Sequence, residues 1–330
     1  KVRAIKMTLY RTSADSKIIG YLCDAARNGK QVAVVVELKA RFDEAANIQF
    51  ATKLEEFGIH VTYGVVGLKT HSKVILVIRQ DYNGLRRYAH IGTGNYHPVT
   101  ARFYADFGLL TCDGVIGEDL TELFNYLTGF GRPQRFRKLL VAPFNLRERL
   151  VEEIRSTAAA AKARKPASIR LKVNSLHDEQ MIEELYLASQ AGVAIEVVTR
   201  RICGLRPGVK GLSQNVRVRS VLGRFLEHSR FFVFEHGEES RYFLGSSDLL
   251  PRNLDHRIEV VAPVEARPLQ AELDAIFDAL LQDNAQAWEL QPDGAWHRLQ
   301  PPKGQRRRTA QGQLMSRARS RARRLARASA

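Results

Sequence analysis

The feature that most constrains how this chain can fold is an arrangement of residues that occurs in it twice. His71-Ser72-Lys73 opens the apolar run Val74-Ile75-Leu76-Val77-Ile78, and His228-Ser229-Arg230 opens Phe231-Phe232-Val233-Phe234. Each has a histidine and, two residues on, a cation at the mouth of a strand-like run. Alternation along a strand sends His71 and Lys73 to the same face. Gly92-Thr93-Gly94-Asn95 follows the first run as Gly245-Ser246-Ser247-Asp248 follows the second. Asp106 lies eleven residues beyond Asn95, and Glu259 eleven beyond Asp248. Repeated order and spacing indicate an internal duplication, with one histidine delivered by each half.

The local patterns fit an α/β plan repeated twice. In the first half, strands are predicted over 4–10, 32–36, 59–63, 72–78 and 88–91, with helices over 16–28 and 43–57. Val32-Ala33-Val34-Val35-Val36 is a continuous run of the kind buried on both faces of a sheet. Asn28-Gly29 and Gly58 end the two helices. In the second half, strands are predicted over 169–173, 194–199, 216–221, 230–235 and 241–244, with helices over 178–190 and 269–283. Gly129 to Pro133 marks a break, and a helix over 145–163 leads onward. Residues 1–138 and 139–302 are thus expected to form two domains, with mixed sheets, a pseudo-twofold relation and a site between them.

Charge is unevenly spread. The chain carries +16, of which +10 falls in residues 303–330, with one Lys, nine Arg and no acid. That stretch is expected to be a disordered basic tail able to touch anionic lipid, nucleic acid or another polyanion, with Leu314–Arg327 able to turn helical on an anionic surface. No apolar run approaches the ~20 residues that span a bilayer, and no signal-peptide pattern is present. Because the chain opens at Lys1 on a strand-like segment, a trimmed piece of a longer protein is expected. Cys23, Cys112 and Cys203 are scattered among apolar neighbours, which points to reduced, buried or partly buried thiols. The expected location is the cytoplasm, with a peripheral contact at the inner membrane as the alternative.

The duplicated motif suits phosphorus chemistry. A neutral imidazole, with an ordinary pKa near 6.5, is a competent nucleophile at pH 7 and yields a phosphoramidate that a second acceptor can relieve of its phosphoryl group. Such a ring attacks best when a carboxylate holds its other N–H, and Asp106 and Glu259 are the candidates for that role. Arg11, Arg41 and Arg200 each follow the C-terminal end of a strand, where open α/β sheets bind ligands. With Lys73 and Arg230 they would neutralise phosphate oxygens. The Gly92–Asn95 turn could offer backbone amides to an anion or could be only a connection. The other seven histidines are read as structural or exposed.

Two His-x-Lys/Arg motifs with a later Gly-x-x-Asn/Asp turn resemble the phospholipase D superfamily. That motif places Asp five residues after the Lys, where this chain has Ile78 and Glu235. Ile78 argues against diester hydrolysis. A closer resemblance, from residue 1 to about 302, is to the C-terminal half of bacterial polyphosphate kinases. It is carried by Leu9–Arg11, Val34–Glu44, Gly67–Lys73, Tyr88–Asn95, Thr100–Asp106, Leu226–Arg230 and Arg252–Glu259.

That resemblance implies two phospholipase D-like α/β domains and a phosphotransferase that uses ATP and Mg²⁺. His71 would be the phosphorylated histidine and His228 a second active-site histidine near the nucleotide phosphates. Tyr104 and Arg200 would contact the nucleotide, and Arg11 and Arg41 would serve the Mg²⁺–phosphate site through the phosphates. ATP/ADP and inorganic polyphosphate would be the partners, in a homo-oligomer when the family's N-terminal and head domains are present. The alternatives are a phospholipase D-like phosphodiesterase or nuclease, and a non-catalytic polyanion-binding module.

Overall fold

The computed structural model describes residues 1–10, 16–37, 44–131, 133 and 135–328. Arg11 and Arg41 lie outside the described residues. In chain order the first elements are β1 (Val2–Leu9), α1 (Lys17–Arg27), β2 (Gln31–Val36), α2 (Glu44–Glu56) and β3 (His60–Thr62). Next come β4 (Lys69–Thr70), β5 (Lys73–Asp81), β6 (Gly84–Gly92), β7 (Tyr104–Ala105) and β8 (Gly108–Thr111). Then follow α3 (Gly114–Leu127), β9 (Leu140–Ala142), α4 (Leu146–Lys162), β10 (Ala167–Lys172), α5 (Glu179–Gln190), β11 (Ala194–Val198) and β12 (Val216–Val221). The chain continues through β13 (Leu226–Glu227), β14 (Phe231–His236), β15 (Glu239–Gly245), α6 (Pro251–Asp255), β16 (Arg257–Pro263), α7 (Arg267–Leu281), β17 (Ala287–Leu290), β18 (Trp296–Arg298) and α8 (Ala310–Ala328).

These elements make two compact units. The first comprises residues 1–150, 228–230 and 243–263; the second comprises 151–227, 231–242 and 264–330. The first unit contains a mixed sheet in the order β3-β2-β1-β5-β6-β8. β1 runs parallel to β2, with Met7 opposite Val34, and antiparallel to β5, with Lys6 opposite Leu76. Alternation drives the packing. Met7 and Leu9 of β1 and Val32, Val34 and Val36 of β2 join Ile19, Leu22 and Cys23 of α1 and Phe50, Ala51 and Leu54 of α2 in one buried cluster. Each large side chain so buried contributes roughly 1.5–3 kcal/mol.

The second unit repeats the topology. β10 runs parallel to β11 and antiparallel to β14, as β1 does to β2 and β5. Phe231, Phe232, Val233 and Phe234 are buried on both faces of β14, and Phe277 of α7 meets Phe231 edge-on. The duplication read from motif spacing is therefore also one of strand pairing, in an α/β fold with mixed sheets.

Two expectations change. Residues 303–330 are not a disordered tail throughout, because Ala310–Ala328 is helix α8. Its first turn is tied down. Asp283 Oδ2 accepts from Ala310 N (2.7 Å), and the Gln311 amide exchanges hydrogen bonds with the backbone of Phe225 (2.9 and 2.8 Å). Cys112 is exposed, whereas Cys23 is buried and Cys203 half-buried. Helix α3 lies where no element is predicted from the sequence. Its N-cap is conventional, with Asp113 Oδ1 accepting from Ile116 N at 2.9 Å.

Candidate active site

Both histidine motifs belong to the first compact unit, since residues 228–230 and 243–263 pack with 1–150. The local cause is backbone pairing. β4 pairs in parallel with the start of β16, Ile258 standing opposite Thr70, and His71 N donates to Ile258 O at 2.9 Å. Glu259 follows Ile258 and is thereby delivered to the His71 ring. The other histidine is treated alike: His228 N and Ser229 N donate to Ala105 O (3.2 and 2.8 Å), and Asp106 follows Ala105. Each half therefore supplies the carboxylate for the other half's histidine.

His71 Nδ1 lies 2.8 and 2.9 Å from the two oxygens of Glu259, and His228 Nδ1 lies 2.8 and 2.9 Å from those of Asp106. The carboxylates are themselves held. Ser246 Oγ donates to Glu259 Oε2, and Asn253 Nδ2 donates to Oε1 at 2.7 Å. Thr93 Oγ1 donates to Asp106 Oδ1 at 2.6 Å. Thr93 and Ser246 occupy the same place in the two Gly-x-x-Asn/Asp turns, thirteen residues before their carboxylates. That repeat was visible in the sequence but went unused. Asn253 has no counterpart in the first motif.

The two cations also match. Lys73 Nζ donates back to His71 O, and Arg230 Nη1 donates to His228 O at 2.8 Å. In both motifs the strand begins after the histidine, at Lys73 and Phe231. Each cation is thus anchored on its own histidine's carbonyl. Arg230 also donates to Thr93 O (3.1 Å) and makes a two-pronged pair with Asp248 (3.3 and 3.2 Å). Tyr10 meets the His71 ring edge-on at 4.9 Å, with Lys73 Nζ 5.0 Å from the centre of its face. Tyr104 stacks obliquely on His228 at 4.9 Å.

Burial and these cations set the protonation. The His71 pKa is pushed well below its ordinary 6.5, by burial first and then by Lys73, Arg257 and Arg230. His228 is lowered to about 4, mainly by burial and by Arg230, with Asp106 opposing. Both rings are therefore neutral at pH 7. Lys73 is lowered to about 7 by burial, against the pull of Glu259. The carboxylates diverge. Burial raises Glu259, which is fully enclosed, whereas His228 and Thr93 overcome burial and lower Asp106. Arg257, which acts on His71, Lys73 and Glu259, is a site residue that motif reading did not single out.

Of the remaining candidates, Asn95 lies in the turn after β6 with Oδ1 buried and lacking a hydrogen bond among the described residues. Arg200 belongs to the second unit, where its Nε donates to Asn174 Oδ1 at 2.7 Å. Among the described residues no group of three or more His, Cys, Asp or Glu side chains is placed to hold a metal ion. No helix of the described residues is long and apolar enough to cross a membrane.

Comparison with known proteins places the chain in a family. The sequence pattern of polyphosphate kinase C-terminal domain 1 matches residues 1–133, and that of C-terminal domain 2 matches residues 139–311. The chain is 55% identical over 310 residues to a polyphosphate kinase of Synechocystis, covering 94% of this chain and 43% of that protein. It is 56% identical over 297 residues to one of Streptomyces coelicolor, covering 90% and 40%. The chain thus spans less than half the length of these curated relatives. A crystal structure of polyphosphate kinase from Porphyromonas gingivalis superposes with a TM-score of 0.89 at 34% identity, over 97% of this chain and 49% of that one. Phosphatidylserine synthase of Haemophilus influenzae shares the fold alone, with a TM-score of 0.59 at 10% identity over 98% of this chain and 89% of that one. Matched along nearly its whole length by the two C-terminal domains, this chain belongs to the polyphosphate kinase family.

Proposed function

We propose that this chain carries the catalytic centre of an ATP:polyphosphate phosphotransferase, in which the γ-phosphoryl group of ATP passes reversibly to inorganic polyphosphate through a phosphohistidine at His71. The observation that carries this reading is the Glu259–His71 pair. A carboxylate on Nδ1 selects the tautomer with its proton there, which leaves the Nε2 lone pair free. Among the described residues Nε2 of His71 has no hydrogen-bond partner.

In the first step Nε2 attacks the γ-phosphorus, an N–P bond forms, and the P–O bond to ADP breaks with its electron pair leaving on ADP. In the second, a terminal oxygen of polyphosphate attacks the same phosphorus, the N–P bond breaks and neutral His71 returns. Glu259 offsets the positive charge that the ring gains in between. Arg230, held by His228 O and Asp248, acts as positive potential on the phosphates, and Lys73, lowered to about 7 and with one donor on His71 O, joins it in the protonated form that bound phosphate favours. His228 is read as an acid/base group beside the nucleotide phosphates, with Asp106 orienting it. Tyr104, Asn95 and Arg200 are read as phosphate- or nucleotide-binding. The domains of this reading are 1–138 and 139–302.

Magnesium is read as arriving on the nucleotide. The described side chains form no cage for it, and a guanidinium cannot ligate a cation, so Arg11 and Arg41 would hold the phosphates that carry the metal. A cytoplasmic location and self-association of the full-length protein belong to this proposal.

The test is incubation with γ-labelled ATP and Mg²⁺. Acid-labile, base-stable label that disappears in His71→Ala supports the reading. Cleavage of a phosphodiester without any ATP-derived label would overturn it in favour of a hydrolase.

A further inference from the structure

Helix α8 runs on past residue 311, where the match to the C-terminal domain 2 pattern ends. Its first turn is fixed within the second unit by Asp283 and by Gln311, which also donates to Glu227 Oε1 at 2.9 Å. Arg317 pairs with Glu272 at 2.6 Å. From residue 316 to 327 every position is exposed. Among the described residues, Arg319, Arg321, Arg323, Arg324 and Arg327 have no carboxylate partner.

At about 100° per residue, Arg317, Arg319, Arg321, Arg323, Arg324 and Arg327 spread over roughly 200° of the helix circumference. Several of these arginines are three or four residues apart, and each such like-charge pair costs about 0.2–0.5 kcal/mol. No acid is present in 303–330 to relieve that repulsion. A bound polyanion would relieve it.

The chemistry of the exposed segment narrows the partner. Residues 303–330 contain no aromatic side chain on which bases could stack. The side opposite the arginines is Ala318, Ala322 and Leu325, too small an apolar strip to embed in a bilayer interface. What remains is recognition of phosphate charge without base or lipid tail.

We infer that the exposed arginine face of α8 is a docking surface for inorganic polyphosphate, separate in sequence from the histidine motifs and additional to the family domains. This rests on the proposed function for the choice of polymer. A flexible chain of phosphates can follow a charged arc of more than half a turn, which a flat surface cannot.

The experiment measures binding of end-labelled polyphosphate by fluorescence anisotropy, without ATP, at several salt concentrations. It compares the chain with a variant carrying Arg319→Gln, Arg321→Gln, Arg323→Gln, Arg324→Gln and Arg327→Gln. Those substitutions keep helix propensity, the Arg317–Glu272 pair and the Gln311 anchor. The expected result is affinity weaker by on the order of tenfold or more, with a shallower salt dependence. Unchanged affinity in a variant with the same unfolding midpoint overturns the inference. So does tighter arginine-dependent binding of an oligonucleotide of equal charge, or of phosphatidylserine vesicles. Since no ATP is present, absence of label on His71 would defeat the proposed reaction and leave this measurement readable on its own.

Discussion

Glu259 holds His71 from 188 residues away in sequence, while the carboxylate nearer in sequence to His71, Asp106, serves His228 instead. The exchange makes neither motif complete by itself. A histidine from one half and an acid from the other form each working pair, so the two copies of the motif must fold together before either ring has its tautomer fixed.

Double-mutant cycles should reveal this exchange. Glu259→Gln is expected to abolish label on His71, because an amide can donate to Nδ1 and move the ring proton to Nε2. A loss of turnover on the order of 10³–10⁴ fits a comparable tautomer error. Coupling energies above about 0.5 kcal/mol should appear for Glu259 with His71 and for Asp106 with His228. Strong coupling of Asp106 with His71 instead would contradict the crossed arrangement.

Stability should rise with pH between about 4 and 6.5. Folded His228 titrates at about 4 against 6.5 in the unfolded chain. In that window the unfolded chain binds a proton that the folded chain refuses, so acid favours unfolding; above 6.5 both are neutral and the penalty is gone. The difference is worth about 3 kcal/mol for this group, and His71 acts in the same direction. Asp106, being lowered, loses its contribution only below 3.8, outside the window, while Glu259, being raised, opposes the two histidines within it, so the His228 contribution is read from the variant rather than from the parent curve alone. Urea unfolding at stepped pH should show a flatter acid limb in His228→Asn than in the parent chain.

Gly94 is required by close approach rather than by backbone angle. A Cβ there would lie 2.2 Å from Asp106 Oδ2 and 2.4 Å from its Cγ. Gly94→Ala should therefore displace the carboxylate from His228 and slow turnover on the order of 10- to 100-fold. The thermal midpoint should change little, because the obstructing atoms are those of a side chain able to rotate. Unaltered steady-state rates would show that Asp106 need not be held there.

The carboxylate cradle is a stability element too. Asn253→Ala removes one of the two donors on Glu259 Oε1, leaving His71 Nδ1 at 2.8 Å, and should cost about 1.5–3 kcal/mol, the range for a hydrogen bond to a charged group. Differential scanning calorimetry of Asn253→Ala and Asn253→Asp would check this, with the aspartate the worse of the two because it adds a second buried acid.

Gln311→Ala should loosen α8 without touching its arginines. It strips hydrogen bonds from Phe225 N, Phe225 O and Glu227 Oε1, the last also paired with buried Lys172 through Oε2 at 3.1 Å. Faster hydrogen exchange over 310–316 is the expected signature; protection equal to the parent would mean that Asp283 and the Arg317–Glu272 pair hold the helix without Gln311.

Much of this was legible in linear form. The β-branched run at 32–36, the glycine stops after α1 and α2, and the capping Asp178 before α5 each state a local preference that packing then reinforces. Helix α3 carries Gly114 and Gly117, which lower helix propensity, so its local pattern is weak. Gly117 is needed there because the Arg87 side chain packs within 2.7 Å of where its Cβ would stand. For the basic C-terminal stretch the sequence offers a helix only over Leu314–Arg327 and only on an anionic surface. Its order comes from Asp283, Phe225 and Glu227, distant partners that composition cannot reveal.

By itself the amino-acid sequence determined that two equivalent histidine–cation motifs exist, that each opens a buried strand, and that an acid recurs at a fixed distance behind each. Side-chain alternation and apolar runs are properties of neighbouring residues, so they survive in one dimension. Which acid meets which histidine was decided only in three dimensions, by the parallel pairing of β4 with β16 and by the amides of His228 and Ser229 on Ala105 O. The lowered pKa values of His71 and His228 were decided there as well, since desolvation and the field of Arg230 depend on burial and distance rather than on sequence separation.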